Sequence, residues 1–134
     1  MTSAAADRDG PDAAYVFRVR FRPDPDGVRV DPATFEATVE RPADPPGTEG
    51  WLFFRDHLWR GEVADGRAMR AWATDRLRVP VESVAFAELR TDEVHLDALR
   101  AAIADDLRRF NAEDVDGALT KYLGSSIHVR SGGT

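Results

Sequence analysis

The chain has 134 residues, with 18 basic against 24 acidic side chains, a formal net charge of −6 and no cysteine. That length suits one domain able to bury roughly two thirds of the surface its unfolded chain exposes. The missing cysteine excludes disulfides, thiolate nucleophiles, iron–sulfur clusters and sulfur-ligated zinc.

Residues 1–14 carry neither a basic start nor an apolar stretch of about 7–15 residues, so they read as a disordered tail rather than a secretory signal. From Tyr15 to Arg22 the chain alternates strictly, with Tyr15, Phe17, Val19 and Phe21 on one face and Val16, Arg18, Arg20 and Arg22 on the other. Period two with one apolar side predicts a strand with one buried face. Pro23 to Gly27 form a turn cluster, Val28 to Val30 a short extended stretch, and after Pro32 the alternation returns with Phe35, Ala37 and Val39 against Glu36, Thr38 and Glu40. Antiparallel pairing would set the outward arginines opposite the outward glutamates. The arginine stripe is then a cross-strand charge ladder worth a few tenths of a kcal/mol per pair, or alternatively a phosphate-binding face.

Residues 41–50 are a proline- and glycine-rich loop. In the segment WLFFRDHLWRGEV that follows, Trp51, Phe54 and Leu58 fall at i, i+3 and i+7, which predicts a short helix from Thr48 or Glu49 stopped by Gly61. A strand through Trp51 to Phe54 is the alternative, since a short apolar run has no decisive period. A second helix is expected over 65–77, capped by Asp65 and burying Met69, Trp72, Ala73 and Leu77. Residues 81–90 place Val84 and Phe86 on one face and Ser83, Ala85, Ala87 and Leu89 on the other, as an inner strand would. Leu96, Leu99, Ile103, Leu107 and Phe110 predict one helix over 92–110. Asn111 is then expected to cap a last helix over 112–123, with Asp114 three positions on and Gly124 as its stop. Ile127 and Val129 alternate in a short edge strand, and 131–134 are expected to fray. The order β-β-α-α-β-α-α-β predicts an α+β fold. It would be a single two-layer domain over 15–130, with a mostly antiparallel sheet of about four strands and helices packed on one face.

Phosphate cradles of the GxxxxGK[ST] or GxGxxG type and the GxSxG elbow are absent, and the three histidines His57, His95 and His128 have no metal-ligand spacing. No cofactor and no metal are therefore expected. His95, at the start of a helix, and His128, on the polar side of a strand, read as exposed. Lys121, the sole lysine, reads as a solvated side chain. His57 beside Asp56 could serve as a held general base, although adjacent helical residues point about 100° apart. Trp59 and Arg60 combine the two groups most enriched in binding hot spots. They form either part of the core with snorkelling arginines or a recognition surface of Arg55, Trp59, Arg60 and Glu62.

Arginine outnumbers lysine 17 to one, and aspartate outnumbers glutamate 16 to 8. Such a balance fits a GC-rich genome or a salty cytoplasm, where hydrated carboxylates keep protein soluble and repulsion is screened. The runs GWLFFRDHLWRGE (Gly50 to Glu62), VPVESV (Val79 to Val84) and KYLGSSIHV (Lys121 to Val129) resemble the LWR-salt protein family, named for the tripeptide standing here as Leu58, Trp59 and Arg60. The resemblance covers about residues 15–130. It implies a setting in salt-loving archaea and carries over no catalytic residue, cofactor or ligand.

Three functions follow from these residues. The first is a cytoplasmic, non-enzymatic binding or assembly module working through Arg55, Trp59, Arg60 and Glu62, with a protein or a second copy of the chain as partner and no membrane. The second is binding of RNA or another phosphate ligand through Arg18, Arg20 and Arg22, which the acidic total disfavours. The third is a small enzyme using His57 with Asp56 or Glu62.

Overall fold

A computed structural model describes residues 13–22 and 34–130. The expected tail up to residue 12, the turn cluster and extended stretch between residues 23 and 33, and the frayed end at 131–134 lie outside the described residues.

The architecture is α+β, with the element order read from the sequence and three short added elements. Strands β1 (Ala14–Phe21), β2 (Phe35–Pro42), β5 (Val81–Asp92) and β6 (Ile127–Arg130) form one open sheet in the order β2-β1-β5-β6. The β1 strand is antiparallel to both its neighbours, and β6 lies parallel to β5. A parallel pair needs a crossover. It is supplied by α3 (Glu93–Ala104), the single turn α4 (Leu107–Phe110) and α5 (Val115–Leu123). Ahead of β5 come α1 (Phe53–His57), a hairpin of two-residue strands β3 (Leu58–Trp59) and β4 (Glu62–Val63), and α2 (Gly66–Leu77).

The strand alternation of β1 becomes the core. Tyr15, Phe17 and Val19 are buried together with Val39, Phe86 and Leu89 against Phe54, Met69, Leu99, Ile103, Phe110 and Leu119 from the helical layer. Tyr15 is also pushed upward in pKa by its burial, so the phenol stays un-ionised in this layer. On the opposite face Arg18 and Arg20 are exposed, and the expected charge ladder forms in part. Arg20 stands opposite Glu36 in register and pairs with it at 3.2 Å.

Several local expectations are corrected. Leu89 belongs to the same face as Phe86, because the β1–β5 register shifts between Val16 and Phe17 and the bulge at Ala87 reverses the alternation. The helix expected over 92–110 is broken at Asp105 and Asp106. Two weak helix formers whose charges oppose the helix dipole at its C-terminal end stop α3 there. Asn111 does not cap the last helix; it sits at φ 51°, closing α4, and Asp114 caps α5 by accepting from the Gly117 N–H at 2.6 Å. His95 is only 3% exposed, because it begins α3 on the side that faces the core.

Candidate functional site

The helix expected from Thr48 or Glu49 to Gly61 ends at His57, and its remaining residues fold into the β3–β4 hairpin. Trp59 pairs with Glu62 across the two-residue loop Arg60-Gly61, and both loop residues have positive φ, 54° and 81°. That is the dihedral sign of a type I′ turn, which matches the twist of a hairpin and ordinarily selects Asn or Gly. Arginine in the left-handed region costs about 1 kcal/mol or more.

The hairpin tip docks on the C-terminal end of α5. The Arg60 N–H donates to the Lys121 carbonyl at 2.8 Å and the Gly61 N–H to the Tyr122 carbonyl at 3.0 Å. With Gly124 N–H on Thr120 and Ser126 N–H on Leu123, all four terminal carbonyls of the helix are satisfied. The approach is close: a Cβ on Gly61 would lie 3.2 Å from the Leu123 carbonyl oxygen, and one on Gly124 3.1 Å from that of Arg60.

This clamp divides the tripeptide. Leu58 is core at 1% exposure, whereas Trp59 is 44% exposed. The Trp59 indole meets the Tyr122 ring edge-on at 5.9 Å between centroids. Two cations stand near its face, Arg60 and Lys121, each 5.7 Å from a ring centroid of Trp59. Lys121 is not a free surface lysine, since its Nζ donates to the carbonyls of Phe110 and Asn111 at 3.1 Å each. Trp59, Arg60 and Lys121 line a groove of about 480 Å³ with Gly117, Thr120 and Gly124. Arg60 has no carboxylate partner among the described residues. Lys121, expected from the sequence as a solvated side chain, is the charged groove residue that was not expected there. Its only signal was its place in the run KYLG, one turn from the helix stop.

The other expected site residues lie elsewhere. Arg55 is tied to its neighbour Asp56, with Nε and Nη2 at 3.1 and 3.0 Å from Asp56 Oδ1, and does not line the groove. Glu62 is exposed on the far strand of the hairpin. Asp56 and His57 line a second hollow of about 360 Å³ with Arg41, Glu49 and Trp51. They do not bond each other, however, and His57 Nδ1 is buried with no hydrogen-bond partner among the described residues. The Arg41 guanidinium covers the Phe53 ring in this hollow at 4.6 Å.

On the outer face of the sheet Arg18 and Arg20 line a shallow hollow of about 250 Å³ with Glu36 and Ser83. Arg20 is held by Glu36 and Arg22 by Glu82, each at 3.2 Å, while Arg90 takes Glu40. Of the three arginines expected to form a phosphate face, only Arg18 has no carboxylate partner among the described residues. His128 is exposed on β6. Among the described residues no group of three or more His, Asp or Glu is placed to hold a metal ion, and no helix is long and apolar enough to cross a membrane.

No curated protein and no solved structure matches the chain. The family model described as LWR-salt protein matches residues 11–133, nearly the full length, and the chain belongs to that family.

Proposed function

We propose that this chain is a small, salt-adapted, non-enzymatic binding module of the cytoplasm. Its partner is a protein, docked on the groove formed by Trp59, Arg60 and Lys121. The observation that carries the reading is Arg60. It stands in a left-handed turn position where Asn or Gly would be relaxed, and its guanidinium has no carboxylate partner among the described residues. A residue held in a sparsely populated backbone region is a motive for a functional role. Beside it lies a half-exposed indole, and tryptophan and arginine are both enriched among hot-spot residues at protein interfaces. The salt-adapted setting draws its support from the acidic, arginine-for-lysine composition and from the family.

The rival readings have less support. A phosphate face on β1 would work with guanidiniums of which two are already neutralised by glutamates. An Asp56–His57 catalytic pair would need the carboxylate on the imidazole, whereas Asp56 Oδ1 takes Arg55 and His57 Nδ1 has no hydrogen-bond partner among the described residues.

Affinity capture from a lysate of the source cells in high salt tests the reading, with Trp59→Ala and Arg60→Asn baits run beside the wild type. A protein retained by the wild type and lost from both variants, each still folded by circular dichroism, is the expected outcome. A partner retained equally by all three would place docking elsewhere.

A further inference from the structure

We infer that the groove beside Trp59 receives an acidic peptide segment bearing one apolar or aromatic anchor residue. The inference rests on the reading of that groove as a protein-docking site and goes on to the chemistry of what docks there.

The chain carries a net charge of −6, yet none of the six residues lining the groove is acidic and two are cations. Those cations stand near one indole, at 5.7 Å from ring centroids. Arg60 faces no carboxylate among the described residues, and the Lys121 ammonium spends two of its three protons on the Phe110 and Asn111 carbonyls. A carboxylate entering here meets unspent donors on both cations. The net charge of −6 opposes an acidic partner at long range, so attraction has to come from local cations such as these two, which would also orient the partner. The two carbonyls also hold the ammonium in place, so little side-chain freedom remains to be lost on binding.

The shape of the groove suits an apolar anchor. Gly117, Thr120 and Gly124 leave the floor shallow beneath the exposed indole, and about 480 Å³ lies within the roughly 300–1,000 Å³ usual for sites that enclose a ligand. One leucine-sized or aromatic side chain set against Trp59 would be the anchor, with flanking Asp or Glu reaching Arg60 and Lys121. A second copy of the chain suits the groove poorly. A two-fold contact at this surface would bring like cations together between two molecules that are each at −6. A nucleic acid suits it poorly too, because two cations do not form a phosphate track and a long polyanion feels the whole acidic field.

Panning short random peptides displayed on phage tests this, against folded wild-type, Trp59→Ala and Thr120→Glu protein, in KCl at about 0.2 M and about 2 M. Thr120 is exposed on the groove rim, so its replacement adds a negative charge beside the two cations without touching the core. The expected result is a retained pool enriched in Asp and Glu beside one aromatic or leucine. Trp59→Ala should retain at least about tenfold less of it, and Thr120→Glu should lose the acidic enrichment. A Trp59-dependent pool with no excess of acidic residues overturns the inference and leaves the docking site standing. A pool indifferent to Trp59→Ala, or none retained above blank, overturns both. Trp59-dependent retention of polyuridylate in place of peptides would make the groove a nucleic-acid site instead.

Discussion

Arg60 and Trp59 are where structure and proposed function separate most cleanly. Arg60→Asn removes the cation but puts into the turn a residue that accepts positive φ. Relief of left-handed strain is set against the lost attraction of a cation for the C-terminal end of α5, worth about 0.3–1 kcal/mol. The expected stability change is therefore within about 1 kcal/mol of zero, while partner binding is lost. A large drop in the urea midpoint would instead assign Arg60 to the scaffold. His95 makes the opposite kind of case, a titratable group whose role is internal. Burial lowers its pKa below the ordinary 6.5, and the nearby Asp92 carboxylate only partly opposes this. The unfolded chain then binds the proton more readily than the folded one. Stability contributed by the neutral ring is whole above pH 6.5 and declines as pH falls through the depressed folded value. Unfolding free energies measured from pH 7.5 to 4.5, expected to fall more steeply for wild type than for His95→Gln, check the sign. Equal slopes in the two proteins would show that His95 does not carry the effect.

The hairpin and α5 stand or fall together, because each covers the other's backbone. Gly124 has φ 63° and ψ −140°, a conformation closed to side chains, and lies against the Arg60 carbonyl. Gly124→Ala is expected to cost about 1–3 kcal/mol, with the Trp59 emission shifted as the hairpin tip lifts off. Unfolding in urea, followed by that emission in Trp51→Phe, Trp72→Phe protein, measures both. A loss under about 0.5 kcal/mol would mean that the clamp yields freely. This clamp was also the least legible part of the chain. The bodies of α2, α3 and α5 and the alternation of β1 were readable, because each repeats its period over at least two turns or four pleats. Two-residue strands have no period. Leu58 continued the i, i+3, i+7 spacing of Trp51 and Phe54, so the segment read as one helix. Only contact with α5, far along the chain, turns it into a hairpin. Likewise Asn111 and Asp114 are both residues that cap helices, and their competition is decided by tolerance of the left-handed region, where asparagine closes α4 and leaves the capping of α5 to Asp114. Trp59 and Arg60 were legible as site residues by type. Lys121 was not, since the carbonyls that hold it come from the α4 terminus.

Across the molecule, 24 acidic side chains against 18 basic ones leave a field that opposes compaction. The ion pairs that offset it are largely exposed, including Arg20–Glu36, Arg22–Glu82 and Arg100–Asp116. Pairs of this kind contribute about 0–1 kcal/mol each, and salt weakens them. Net repulsion is screened by the same ions, so the sign of the salt effect depends on which is larger. With six uncompensated negative charges and few buried pairs, repulsion should prevail, and the unfolding temperature should rise with KCl. The shape of the rise separates two causes. Screening is largely complete by about 1 M, where the Debye length has shrunk to about 3 Å. A gain that flattens there identifies self-repulsion as the main penalty. One that keeps climbing well beyond it identifies exclusion of salt from the protein surface, which strengthens apolar burial. A fall in unfolding temperature over the first 0.5 M or so of KCl would instead give the advantage to the surface ion pairs and remove the physical basis for salt adaptation in this chain.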